Sequence, residues 1–325
     1  TVIVVSTVAK EGTKETIQAL EYGAFDFVTK PENYLETKSV EFKNRIFEML
    51  NVATSSRSSI RRTSMRSTVR STEAFSNRRT TDSSKTTFTG LRRSVDRSTE
   101  TTARSTRPVF TSEPQEKAVK VDGSKYTRVK AGKNKLVALA CSTGGPKSLQ
   151  QVIPMLPGNL DAGVVLVQHM PAGFTASLAA RLNEMSAINV KEAADGDVIK
   201  KGWVYIAPGG KHIRVKKKGS DCVIALSDEA PIEGLRPCAN IMYESLAECN
   251  YDEITCVVLT GMGADGTNGI KALSRSRKNL YVISQDEETC VVYGMPKAIA
   301  NTGLVNEVVP LNRVAEAITK NVGVS

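Results

Sequence analysis

Three residue types that together perform acyl transfer each follow a strand-like run in this chain. Lys135-Leu136-Val137-Ala138-Leu139-Ala140 leads into Cys141-Ser142-Thr143-Gly144-Gly145-Pro146. Gly163-Val164-Val165-Leu166-Val167-Gln168 ends in His169, one of two histidines in 325 residues, before a turn at Met170-Pro171. Ile254-Thr255-Cys256-Val257-Val258-Leu259 leads into Thr260-Gly261-Met262-Gly263-Ala264-Asp265-Gly266. Acyl transfer needs a hydroxyl made nucleophilic by an adjacent base, and a carboxylate that holds the base in one tautomer. In an open parallel sheet the carboxyl ends of the strands share one rim, where ligands bind. Ser142, His169 and Asp265 are therefore expected to meet there as nucleophile, base and orienter.

Ser142 occupies a strand-to-helix turn, where free backbone N–H groups and the helix dipole can stabilise an oxyanion. Gly144 and Gly145 leave room for a substrate. The turn is not a GxSxG elbow, because Ala140 replaces the leading glycine. Each residue also has a plainer reading. Ser142 can cap the helix that follows, His169 can be a satisfied histidine under a proline turn, and Asp265 can cap the helix after Gly266. His212, in Pro208-Gly209-Gly210-Lys211-His212, is a further substrate-side candidate. Cys141 is a neighbouring thiol that strand alternation turns away from Ser142. The same glycine turn can be read as a phosphate cradle, but neither GxxxxGK[ST] nor GxGxxG is present there.

The elements that must position these residues form an α/β pattern. From Lys135 onward strands alternate with helices, which implies a doubly wound, mostly parallel sheet. Helices are expected at about Pro146–Met155, Thr175–Met185, Pro237–Cys249, Gly266–Arg275, Pro296–Asn301 and Leu311–Asn321. Trp203–Ala207, His212–Val215 and Cys222–Leu226 read as short strands of a small antiparallel insertion. Upstream, residues 1–50 contain strands at Val2–Val5 and Phe25–Thr29 and helical segments at Glu15–Tyr22 and about Val40–Leu50. The chain opens at Thr1 in mid-strand and reads as a fragment. Residues 51–133 read as a disordered Ser/Thr/Arg-rich linker, and residues 134–325 as the catalytic domain.

The formal charge of +10 is concentrated in that linker. Residues 53–107 carry twelve Arg and one Lys against Glu73, Asp82, Asp96 and Glu100, a net +9. So few apolar residues cannot offset the entropy of ordering. With almost no aromatics to stack on bases, nucleic acid is not an expected partner. No apolar stretch reaches the roughly 18 residues of a membrane span, so no membrane insertion is expected. The six cysteines form no CxxC pair, which suits buried reduced thiols and a cytoplasmic protein.

Several of these segments occur together in one family. Ser142-Thr143-Gly144-Gly145-Pro146, Gln168-His169-Met170-Pro171, Tyr205-Ile206-Ala207-Pro208-Gly209-Gly210, Thr260 to Gly266, Gln285-Asp286-Glu287-Glu288-Thr289-Cys290 and Tyr293-Gly294-Met295-Pro296 resemble the CheB family of chemotaxis protein-glutamate methylesterases. The resemblance implies the triad Ser142, His169 and Asp265, with Thr143 and Met262 near the reacting carbonyl as oxyanion donors. It implies demethylation and deamidation of chemoreceptor cytoplasmic helices, with no cofactor for catalysis. Residues 1–31 resemble the last part of a response-regulator receiver domain, with Ser6 at the switch hydroxyl, Phe27 at the switch aromatic and Lys30 at the active-site lysine. A complete receiver would be phosphorylated by a histidine kinase with Mg2+, at an aspartate outside this chain. Family members commonly read Arg-Pro-Ser-Val-Asp where this chain has Arg236-Pro237-Cys238-Ala239-Asn240, which loses a hydroxyl and a charge. The exchange bears on that helix's contacts with substrate or a neighbouring domain. The contrasting reading is a catalytically idle module of the same fold that binds receptor or regulatory partners.

Overall fold

The computed structural model describes residues 1–7, 9–31, 37–66, 134–276 and 278–325. At the front, two parallel strands, β1 (Ile3–Ser6) and β2 (Asp26–Thr29), are joined by helix α1 (Lys10–Glu21), and helix α2 (Val40–Arg66) follows. The chain then alternates through β3 (Lys135–Cys141), α3 (Gly145–Val152), β4 (Gly163–Gln168), α4 (Phe174–Met185), β5 (Asn189–Glu192) and β6 (Trp203–Ile206). A hairpin of β7 (His212–Lys218) and β8 (Asp221–Ser227) leads to α5 (Ala239–Ser245) and β9 (Glu253–Val258). The chain ends with α6 (Thr267–Ser274), β10 (Asn279–Gln285), α7 (Met295–Ala300), β11 (Glu307–Val309) and α8 (Val314–Val322).

Seven strands form one sheet in the order β11-β10-β9-β3-β4-β6-β5, and every pairing in it is parallel. The alternation of β3 shows why the sheet is covered on both faces. Val137, Leu139 and Cys141 enter one core with residues of α3, α4 and α8, whereas Leu136, Ala138 and Ala140 enter a second with residues of α5, α6 and α7. A strand buried on both sides must be apolar throughout, as these parallel strands are.

Two expectations change. Trp203–Ile206 belongs to the main sheet as β6, between β4 and β5, so the antiparallel element is the β7–β8 hairpin alone. Val204 and Ile206 face one core and Tyr205 the other, the continuous apolar signature of an interior strand. β7 instead loses its buried pattern in exposed Lys216, Lys217 and Lys218. Secondly, α2 continues past residue 50 to Arg66, into the segment expected as linker. Residues 51–66 contain no proline or glycine to end a helix. The rest of the expected linker, 67–133, lies outside the described residues.

The front elements share one compact unit with the C-terminal sheet. Ile17, Leu20 and Ala24 join the core formed by α3 and α4. Arg181 of α4 donates from Nε and Nη2 to Glu21 of α1 at 3.1 and 2.6 Å. Thr13 and Ser177 hydroxyls meet at 2.7 Å. Phe27 of β2 stacks on Phe174 with ring centroids 4.6 Å apart. No described helix is long and apolar enough to cross a membrane.

Candidate active site

β9, β3 and β4 are adjacent and parallel, so their carboxyl ends bring three loops together at the centre of the rim. The Ser142 loop is fastened from both sides. Its N–H donates to Thr260 O at 3.0 Å, and its carbonyl accepts from Gly145 N at 2.7 Å and from Gln168 Nε2 at 3.0 Å. Gln168 Nε2 also donates to His169 O at 3.2 Å, so one buried amide ties the candidate nucleophile to the candidate base. Thr260 Oγ1 donates to Thr143 O at 3.0 Å. Gly261 must be glycine, because a Cβ there would lie 2.8 Å from Ser142 Cβ.

The plainer reading of Ser142 fails on geometry. Gly144, at φ 76°, is the N-cap of α3 and no side chain caps that helix, so Ser142 is not a cap. Among the described residues the Ser142 hydroxyl forms no hydrogen bond, and it is partly exposed in the cleft. Asp265 does serve a helix start, but chiefly a different one from that expected. Its Oδ2 accepts from Ala239 N at 2.6 Å and its Oδ1 from Asn240 N at 3.0 Å, at the start of α5. Oδ1 also accepts from Gly266 N at 2.9 Å and from the Cys238 thiol at 3.2 Å. The remaining contact is the chemical one: His169 Nε2 lies 2.8 Å from Asp265 Oδ2, with the two side chains 9% and 4% exposed.

These donors fix the charge of Asp265. Burial alone would raise its pKa, but the His169 hydrogen bond and charge, with the Ala239 and Asn240 N–H groups, outweigh it and bring the carboxyl down to about 2. An ionised carboxylate only accepts, so Nε2 carries the proton toward Asp265, and in the neutral ring the lone pair is on Nδ1. The nitrogen available as a base is therefore Nδ1. Asn240 Oδ1 accepts from Gly266 N at 3.0 Å and Gly269 N at 2.8 Å, holding α6 against α5. The Cys238-Ala239-Asn240 segment thus faces the aspartate of the rim.

One cleft, of about 220 Å³, is lined by Ser142, Thr143, His169 and Met262 together with Asp26, Arg45 and other residues of β2 and α2. Neither Thr143 nor Met262 donates its backbone N–H to a described acceptor, which leaves both amides free to face an oxyanion. Gly144 N–H instead donates to Asp26 Oδ2 at 2.9 Å. Burial pushes the Asp26 carboxyl up to about 6, opposed by the Gly144 and Phe27 N–H groups.

The other candidates lie apart. His212 is fully buried in the hairpin, with Nε2 3.1 Å from Ala230 O, and does not line the cleft. The Cys141 thiol points into the core toward Gln168 Oε1 at 3.0 Å, and burial pushes it far above the ordinary thiol range. At the front, Ser6 Oγ donates to Gly12 O at 3.0 Å, Phe27 faces Phe174, and Lys30 is exposed after β2. Among the described residues at these strand ends, Ser6, Thr29 and Lys30 offer no carboxylate to a Mg2+ ion.

Gln168, Thr260, Cys238 and Asp26 are site residues that sequence reasoning did not assign. Of these, Gln168 carried a signal, an amide ending an otherwise apolar strand beside His169. Comparison with known proteins agrees with this architecture. A family model described as CheB methylesterase matches residues 137–318. A protein-glutamate methylesterase/protein-glutamine glutaminase of Desulfotalea psychrophila is 36% identical over 323 residues, 98% of this chain and 77% of that protein. Its counterpart in Pyrococcus abyssi is 37% identical over 321 residues, 99% of this chain and 73% of its own. The crystal structure of the Thermotoga maritima CheB methylesterase catalytic domain matches with a TM-score of 0.56 and 41% identity, covering 59% of this chain and all of that one.

Proposed function

This chain belongs to the CheB methylesterase family, and from that premise we propose that it hydrolyses glutamate γ-methyl esters on chemoreceptor cytoplasmic helices. By the same chemistry it deamidates glutamines there. The observation that carries the reading is the His169 Nε2–Asp265 bond of 2.8 Å in a cleft shared with Ser142 and the unengaged amides of Thr143 and Met262.

Ser142 Oγ attacks the γ-carbonyl carbon as its proton passes to His169 Nδ1. Asp265 holds Nε2–H and stabilises the imidazolium. The oxyanion faces the N–H groups of Thr143 and Met262, each worth about 10²–10³ in rate in such sites. The imidazolium then protonates the departing methoxide, and methanol leaves an acyl-Ser142. Water attacks that ester, giving one proton to His169 and taking the place of Ser142 Oγ, which is reprotonated from the ring. With glutamine, ammonia leaves in place of methanol.

Residues 1–50 are the end of a receiver domain, 51–133 a linker whose first part, to Arg66, continues helix α2, and 134–325 the catalytic domain. Ser6, Phe27 and Lys30 are the receiver's switch residues. β2 and α2 wall the cleft that holds Ser142, where a receptor helix, about 10 Å across, has to dock. A receptor helix therefore reaches Ser142 only after the front elements move, and phosphorylation of a complete receiver by a histidine kinase drives that movement. The test is methanol release from a methylated receptor fragment. Ser142→Ala is expected to abolish it with the fold intact, and release at the parental rate would end the assignment.

A further inference from the structure

Asp26 is a buried carboxylate that the mechanism does not use. Oδ1 accepts its neighbour's amide, Phe27 N, at 2.8 Å. Oδ2 reaches across to the catalytic side and accepts Gly144 N–H at 2.9 Å. The side chain is 5% exposed, and among the described residues no lysine or arginine pairs with it. A buried anion without a cation is held by whatever dipoles face it. Here the facing dipole across the interface is a peptide of the turn that carries Ser142.

Three consecutive amides in that turn have three different fates. Ser142 N–H is committed to Thr260 O, Thr143 N–H is unengaged, and Gly144 N–H is taken by Asp26. Asp26, Ser142, Thr143, His169 and Met262 line the same cleft. Gly144 is held in its left-handed turn with Val291 packed where a Cβ would stand, so its amide direction is fixed. A carboxyl group on a backbone amide beside the nucleophile has the chemistry of the product of ester hydrolysis. Aspartate differs from the product glutamate by one methylene.

We propose that Asp26 is an internal product mimic, whose carboxylate fills the Gly144 amide that otherwise binds the γ-carboxyl oxygen of substrate and product. The proposal rests on the methylesterase reading and adds a substrate contact, Gly144 N–H, to it. The front elements then inhibit by occupying a subsite as well as by covering it. A free glutamate side chain and Asp26 compete for one donor.

The test uses the full chain with amide ¹⁵N labels and N-acetylglutamate α-amide as the probe. In the parent, the Gly144 N–H resonance is expected to move little as the probe is added. In Asp26→Ala it shifts on losing the carboxylate, and saturating probe returns it toward the parental position. The probe's inhibition constant for methanol release is expected to fall about tenfold or more in Asp26→Ala, with KM falling alongside it. Asp26→Asn, which keeps the shape, gives an intermediate result and serves if the alanine variant does not fold. Equal probe affinity in parent and variants, or a Gly144 resonance indifferent to the probe in Asp26→Ala, would overturn the proposal. Absence of methanol release from every protein would instead remove the esterase reading, while the Gly144 titration would still report on the carboxylate site.

Discussion

Replacing Asp265 by asparagine changes one oxygen into an NH2, and the surrounding donors decide how that amide sits. Oδ1 faces Asn240 N, Gly266 N and the Cys238 thiol, and Oδ2 faces Ala239 N and His169 Nε2. With its oxygen on the Oδ2 side, the amide would turn its NH2 against two backbone N–H donors at once. An orphaned buried donor costs about 1–3 kcal/mol, so the other orientation wins. The NH2 then points at Ala239 N and at His169 Nε2, which must become the acceptor. The ring proton moves to Nδ1, the atom that receives the proton of Ser142 in the proposed mechanism. We expect kcat to fall about 10⁴-fold, the size seen when a triad carboxylate becomes an amide, or about 5 kcal/mol of barrier. KM should barely change. Stability should fall by about 1–3 kcal/mol for the one orphaned amide at Ala239. Methanol-release kinetics and denaturant melts on the same preparations measure both. An asparagine variant within tenfold of the parental kcat would refute the tautomer argument.

Three further outcomes are expected. The depressed pKa of Asp265, about 2 against an ordinary 3.8, makes its contribution fully present above pH 4 and lost as pH falls toward 2. About 2 kcal/mol should disappear over that range, and denaturant melts of Asp265→Asn should show a correspondingly flatter acid limb. Cys238, whose pKa burial and the neighbouring Asp265 push up to about 12, stays a thiol donor. Cys238→Ala should lower kcat about 2- to 10-fold, as for one weak hydrogen bond, and Cys238→Ser should restore it; equal rates in all three proteins would deny the thiol a positioning role. Gln168→Leu removes the amide shared by the Ser142 and His169 carbonyls, and kcat should fall with KM nearly unchanged. A rise in KM alone would point to substrate contact instead.

The rim was readable because its residues sit directly after strands, where apolar runs give way to turn chemistry. Ser142 and His169 follow β3 and β4 by one residue, so placing the strands places them. Asp265 was readable as a rim residue but not as the partner of α5, since its donors at Cys238, Ala239 and Asn240 come from a helix 25 or more residues upstream. Spacing carries no trace of that packing. The same limit hid Asp26, whose acceptor role spans 118 residues to Gly144. The misplacement of Trp203–Ile206 had a local cause. Four residues are too few to separate an interior parallel strand from a hairpin strand by periodicity, and burial on both sides resolves it only after folding. The extension of α2 to Arg66 likewise depended on what is missing, a proline or glycine, more than on any apolar face.

The most direct test of an activated Ser142 is covalent labelling. A fluorophosphonate probe reacts with a serine only when a base withdraws its proton, and peptide mass spectrometry locates the adduct. The expected result is an adduct on Ser142 in the parent, lost in His169→Ala and strongly slowed in Asp265→Asn. Labelling on another residue, or labelling of Ser142 that ignores the loss of His169, would contradict the central claim that His169 Nδ1 is the base.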